Sequence, residues 1–120
     1  MSKEYKEMVT SLFKTEGFDL NLNADLHAAV GVAGEAGEVL DLIKKSWAYN
    51  KDLDYELIIE ELGDLEFYLE ALRQTLCISR KDVLAANISK LGRRYSNGTY
   101  SDAQAIARED VQRPNEDSIL

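Results

Sequence analysis

Four carboxylates, arranged as two pairs, are the residues in this chain best suited to chemistry. Glu35 and Glu38 lie three residues apart in VGVAGEAGEVLDLIKK, and Glu61 and Asp64 repeat that spacing in IIEELGDLEFYLEAL. Residues three apart share one side of a helix, so two helices packed side by side would bring both pairs together. Converging oxygen donors suit a hard divalent cation, magnesium or manganese, and no Cys/His cluster offers a site for a softer metal. Around the helix axis, Glu35 falls inside an apolar sector made by Val32, Val39 and Leu42, with Glu38 at its edge. Glu61 and Asp64 sit on the shoulder of an apolar stripe, beside Leu57 and Tyr68. A carboxylate in such surroundings loses hydration and must protonate or find a partner. A bound cation is such a partner. The plainer alternative is solvated helix acids paired with Lys44, Lys45 or Arg73, which explains the spacing but not the apolar setting.

A second polar group lies downstream. Asn87, Lys90 and Arg94 share one helical face, opposite Leu84, Ile88, Leu91 and Tyr95. Lysine offers a mobile point charge, arginine a fork for phosphate oxygens, and asparagine a donor and acceptor for phosphate, sugar or base. Taken alone, this is an amphipathic helix with a basic surface; beside a carboxylate cluster it becomes a set of phosphate contacts. Lys44 and Lys45 close the second helix, where they suit either phosphate or the helix dipole, and Lys45 lies nearer the Glu38 side. Tyr68 follows Asp64 by one turn and is the aromatic best placed to stack on a base. Trp47 continues the main apolar face, as a core or dimer contact would. His27 is placed for either a substrate contact or a structural hydrogen bond. Gly31, Gly34 and Gly37 recur within one helix, where each lowers stability relative to alanine, and close approach of a helix or ligand accounts for them. Cys77 has no catalytic partner and reads as a packing residue.

The elements that must position these groups are helical. The chain has one proline and seven glycines in 120 residues, and its long Ala-, Leu-, Glu-, Ile- and Lys-rich stretches favour helix. A short amphipathic helix is predicted over 3–15, turning Met8, Val9, Leu12 and Phe13 inward. GFDLNLNAD is a connector. A long helix is predicted over 24–46, a third over 55–76, and a fourth from the capping-box spacing of Ser79 and Asp82 to Tyr95. SNGT is a turn, a short helix follows over 102–110, and the last ten residues read as frayed. On the second helix Leu26, Ala29, Val30, Ala33, Leu40, Ile43 and Trp47 form one apolar face, in addition to the sector that holds Glu35. A helix apolar on two sides touches neighbours on both. On the third, Ile58, Leu62, Leu65, Leu69, Leu72 and Leu76 make the stripe, while Glu66, Glu70 and Arg73 are expected in solvent. The expectation is an all-α domain over 1–110 with a flexible tail over 111–120. Its four principal helices would form a bundle core completed by oligomerisation, as a homodimer or homotetramer.

Composition narrows the function classes. A formal charge of -8 argues against an extended nucleic-acid interface, yet divalent ions between the protein and a polyanion permit a nucleotide. No apolar run is long enough to span a membrane, and the polar start MSKEYKEM is not a secretory signal. The single Cys77 excludes an intrachain disulfide and fits a reducing, cytoplasmic setting.

The stretches HAAVGVAGEAGEVLDLIKK, EELGDLEFYLEAL and NISKLGRRY, in that order, resemble the MazG-type nucleoside triphosphate pyrophosphohydrolases of the all-α NTP pyrophosphohydrolase superfamily. The likeness runs from about Leu26 to Tyr95 and extends towards YSDAQAIARED. By that resemblance Glu35 and Glu38 match the latter two glutamates of an E-E-x-x-E motif, and Glu61 and Asp64 match E-x-x-D. All four are then metal ligands and catalytic residues. Asn87, Lys90 and Arg94 match the substrate-contacting region, to which the residue reading adds Lys45, Tyr68 and His27. Gly34 stands where many members carry another glutamate, so the general base and the number of metal ions are left open, with Glu60 a conceivable substitute. The implied reaction is magnesium-dependent hydrolysis of a nucleoside or deoxynucleoside triphosphate to monophosphate and pyrophosphate, with manganese a possible replacement. Alternatives are dUTP or phosphoribosyl-ATP hydrolysis, or a catalytically silent helical module that binds nucleotide or protein.

Overall fold

The computed structural model describes residues 3–17, 23–108 and 111. It is all-helical, with no strand among the described residues: α1 (Lys3–Leu12), α2 (Ala24–Tyr49), α3 (Tyr55–Thr75), α4 (Arg80–Arg94) and α5 (Asp102–Ala107). The chain divides into two compact units, Met1–Arg80 and Lys81–Leu120. Apart from Val111, the expected frayed tail lies outside the described residues, as does the middle of the GFDLNLNAD connector.

Local chemistry sets the helix limits. The Asn23 side chain caps α2 by accepting from the Leu26 N–H at 2.8 Å, satisfying a donor that the first turn leaves unpaired. This helix continues past the expected stop at 46 to Tyr49, where Asn50 adopts a left-handed conformation (φ 55°) and its N–H reaches the Ser46 carbonyl. Asparagine tolerates that geometry, and so ends the helix. Asp54 caps α3 in the same way through the Leu57 N–H. At its far end Cys77 takes φ 57°. The Cys77 N–H donates to Gln74 O and the Ile78 N–H to Arg73 O, the paired bonds of a Schellman stop. Cys77 is exposed rather than packed; its work is in the backbone.

In the first unit α2 and α3 pack side by side and α1 lies against α3. The buried core is small, consisting of Val9, Phe13, Ala28 and Ala71, with Tyr5, Ala24, Phe67, Tyr68 and Leu72 around it. Within α1 only Val9 is buried, and Phe13, one turn on and just past the helix end, continues that narrow strip; Met8 and Leu12, expected inside, are exposed. The orientation of α1 is fixed by polar bonds. Gln74 Nε2 donates to Lys6 O at 3.1 Å and to Glu70 Oε2 at 2.8 Å, while Thr10 Oγ1 donates to Gln74 Oε1 at 2.9 Å.

Arg73 extends this network through Nε to Glu70 Oε1 at 3.0 Å and Nη2 to Glu66 Oε1 at 2.9 Å. Glu70 is only 4% exposed, so the expectation of a solvated Glu70 and Arg73 is corrected. Arrival of α1 covers a face that α3 alone would leave wet, and the guanidinium and amide supply the partners that a buried carboxylate requires. No buried side-chain nitrogen or oxygen among the described residues lacks a hydrogen bond.

The rotation of α2 about its own axis decides which acid faces inward. Val32, Glu35, Val39 and Leu42 are half-buried, whereas Leu26, Ala29, Val30, Ala33, Leu40, Ile43 and Trp47 are all exposed. The larger apolar face is thus the outer one, because a single neighbouring helix can cover only one sector.

In the second unit α4 carries no buried residue. Ser101 caps α5, its hydroxyl accepting from the Gln104 N–H at 3.1 Å. That helix stops at Ala107, short of the expected 110, because Arg108 turns left-handed at φ 50°. Tyr95 and Tyr100 pack ring against ring at 5.5 Å, and the Tyr100 hydroxyl donates to Asp102 Oδ1 at 2.7 Å.

Candidate metal centre

The two acidic helices run antiparallel, and Gly31 meets Tyr68 along their seam. Gly31 of α2 abuts the ring of Tyr68 of α3. Four residues forward on α2 is Glu35 and four back on α3 is Asp64; three further along each helix are Glu38 and Glu61. Three- and four-residue steps keep to one side of a helix, so the acids lie along the same seam as the Gly31–Tyr68 contact.

Glu35, Glu61 and Asp64 each present a carboxylate oxygen, and the three oxygens lie within 4.8 Å of one another. Glu35 and Glu61 are half-buried and Asp64 is exposed. The Glu61 carboxyl is pushed above its ordinary value of 4.5, first by desolvation, then by a side-chain hydrogen bond with Glu35, then by the charges of Glu35, Asp64 and Glu38. With the proton on Glu61 that bond has a donor; without it, acceptor oxygens face each other. Glu38 is exposed and stands outside the group of three, yet its charge reaches Glu61.

This donor set fits a hard divalent cation on two counts. All the atoms offered are carboxylate oxygens, the ligands of magnesium and manganese. Their mutual repulsion is a cost that a cation between them would offset. Arg73 does not serve that purpose, because it is bonded to Glu66 and Glu70. The pairing of these acids with Lys44, Lys45 or Arg73 therefore fails for Arg73, and Lys45 is paired with Asp41.

The other expected site residues fall in two places. Tyr68 joins an aromatic cluster in the first unit, edge-on to Phe67 at 5.3 Å, His27 at 6.0 Å and Phe13 at 6.4 Å. His27 stacks on Phe13 at 4.6 Å, with Nδ1 3.2 Å from Lys14 O, in the structural setting given as one of its two readings. Lys45 forms an ion pair with Asp41 at 2.8 Å on the open surface, and that hydrogen bond raises its pKa. Asn87, Lys90 and Arg94 belong to α4, in the second unit. Of the three glycines expected to permit close approach, only Gly31 meets a neighbour; a Cβ at Gly34 or Gly37 would enter open space. The sequence pattern presented those glycines as equivalent, and only the rotation of α2 distinguishes them.

An antiparallel helix pair with facing acids places the chain among all-α proteins with a carboxylate centre between helices. Residues 26–99 match the MazG nucleotide pyrophosphohydrolase domain, and the chain belongs to that family. Neither a curated protein nor a solved structure matches it. The matched segment contains both acidic pairs and the Asn87, Lys90 and Arg94 element, as the sequence resemblance implied. Membership assigns nucleotide pyrophosphohydrolysis as the general class of activity.

Proposed function

We propose that this protein hydrolyses nucleoside or deoxynucleoside triphosphates to the monophosphate and pyrophosphate, using magnesium held by Glu35, Glu61 and Asp64. The observation that carries the reading is the meeting of those three carboxylates between α2 and α3. Magnesium bound there would neutralise charge along the triphosphate and lower the pKa of water. Glu38, exposed and with a charge that reaches Glu61, is the proposed acceptor of the attacking water's proton. The oxygen of that water adds to the α-phosphorus, the bond from the α-phosphorus to the bridging oxygen breaks, and pyrophosphate departs with that oxygen. Asn87, Lys90 and Arg94 are proposed as phosphate and sugar contacts on the strength of their chemistry and their motif. Lys45, Tyr68 and His27 complete the proposed substrate set; Lys45 would exchange Asp41 for phosphate.

The working form is proposed to be a homodimer or homotetramer in the cytoplasm. The exposed α2 face from Leu26 to Trp47 supports assembly. Among the described residues no helix is long and apolar enough to cross a membrane.

The test is a panel of ribo- and deoxyribonucleoside triphosphates, including dUTP, incubated with the purified protein with and without magnesium. Monophosphate and pyrophosphate, formed only with the metal, are the expected products. A folded, magnesium-binding protein that turns over no member of the panel would sink the proposal in favour of a silent binding module. Glu38→Gln and Asp64→Asn should each remove most turnover while far-UV circular dichroism is unchanged. A wild-type rate in either variant counts against the role given to that residue.

A further inference from the structure

We infer that Gly31 and Tyr68 form a register pin for the carboxylate triad, making Gly31 a positioning residue whose missing side chain decides whether Glu35 faces Glu61 and Asp64. The inference rests on the reading of the triad as a metal centre. It begins with a steric fact: a Cβ on Gly31 would overlap Cγ, Cδ1 and Cε1 of the Tyr68 ring. That ring cannot easily swing aside, because Phe67, His27 and Phe13 each meet it edge-on or nearly so, at interplanar angles of 89°, 74° and 84°. Phe13, just past the end of α1, is itself in the buried core and stacks on His27 of α2, so these neighbours are themselves held in place. An added methyl group must therefore displace α2 from α3, outward or along its axis. Packed interiors have little slack for a group of that size.

Such a displacement acts directly on the acids. Glu35 is one turn from Gly31 and Asp64 one turn from Tyr68, so the contact and the triad are successive levels of one antiparallel interface. The three oxygens now lie within 4.8 Å of one another, and a divalent ion binds carboxylate oxygens at about 2.0–2.6 Å. A helix shift of about 1 Å takes an oxygen out of that range. Gly37 is the internal control: it lies on the same helix, and a Cβ there meets nothing within 4 Å.

The experiment measures magnesium binding by calorimetry, and the contacts of the Tyr68 ring with α2 by NMR in the metal-free protein. Gly31→Ala should keep its helical circular dichroism and bind magnesium about 10–100-fold more weakly, the scale on which supporting groups tune metal sites. Gly37→Ala and Tyr68→Phe should bind as wild type, since the pin uses the ring and not the hydroxyl. Tyr68→Ala should also weaken binding, and adding Gly31→Ala to it should cost little more, because the clash has gone. Wild-type affinity in Gly31→Ala, or equal losses from Gly31→Ala with and without the ring, overturns the pin. So does a loss in Tyr68→Phe, which would give the hydroxyl the role. Should Gly31→Ala fail to fold, the Tyr68→Ala pair decides alone. If the wild-type protein binds no magnesium, the metal-centre reading falls separately. The metal-free NMR contacts then decide the register: displaced in Gly31→Ala they uphold the pin, and unchanged they overturn it.

Discussion

At the scale of single residues, Glu61 is held in a state that suits a bound cation better than the metal-free protein. Desolvation, the hydrogen bond with Glu35 and three neighbouring negative charges raise its pKa in the folded chain. The folded state therefore binds this proton more tightly than the unfolded chain does, and stability falls as pH rises between the ordinary and the raised value. Above that window the penalty is constant; below it the penalty vanishes. Glu61→Gln removes the charge while nearly keeping the shape. Without magnesium the variant should melt higher than wild type at pH 7.5, and the difference should disappear towards pH 4. With magnesium the order should reverse, because wild type alone gains from the ion. Thermal melts at both pH values, with and without metal, check both halves. An unchanged metal-free melting temperature at pH 7.5 would mean that Glu61 is not under strain from its neighbours. The spacing of the two acidic pairs made this group legible in the sequence, since three-residue steps fix a helical side whatever the tertiary fold. It did not show that Glu38 would stand outside the group of three, because the offset between two helices depends on contacts such as Gly31 with Tyr68.

At the scale of elements, α3 is held by its network with α1 and by its C-terminal stop. Glu70 is buried and depends on Arg73 and Gln74. Arg73→Ala should destabilise the fold by about 3 kcal/mol, since removing one partner of a buried ion pair leaves the other charge without compensation. Urea unfolding measures this, and a loss under 1 kcal/mol would show that Gln74 alone suffices. Cys77 works in the opposite sense. Its left-handed φ of 57° is a conformation that a side chain disfavours, so Cys77→Gly should raise stability by about 1 kcal/mol in the same assay. An unchanged or lowered midpoint would mean that the strain is absent. The Asn23 and Asp54 caps that start α2 and α3 emerge from the structure, whereas the helices themselves were legible because helix propensity and hydrophobic period act locally. The burial of Glu70 was not, because the α3 pattern alone places it on the wet side. Only the arrival of α1, carrying Lys6 and Thr10 to Gln74, makes that side an interior.

At the scale of the whole molecule, the first unit leaves its main apolar surface uncovered. Val30 is 59% exposed, Leu40 65%, Ile43 48% and Trp47 82%, all on one side of α2. The sequence showed two apolar sectors on this helix and could not say which would be buried within the chain. Pairing with α3 took the sector containing Glu35 and left the larger one outside. Burying one large apolar side chain is worth about 1.5–3 kcal/mol, so several such residues on each of two copies would suffice for association. In a two-fold assembly every substitution enters the interface twice. Val30→Glu or Ile43→Glu should therefore lower the association constant at least about tenfold, the equivalent of 1.4 kcal/mol. Neither residue belongs to the triad, so each metal-free monomer should keep its helical circular dichroism. Sedimentation velocity across a concentration series would show wild type as a dimer or tetramer and the variants moving to monomer. If turnover follows the assembled fraction, the active unit contains more than one chain. A wild-type protein that sediments as a fully active monomer at assay concentration would refute the assembly and leave the α2 face to some other partner.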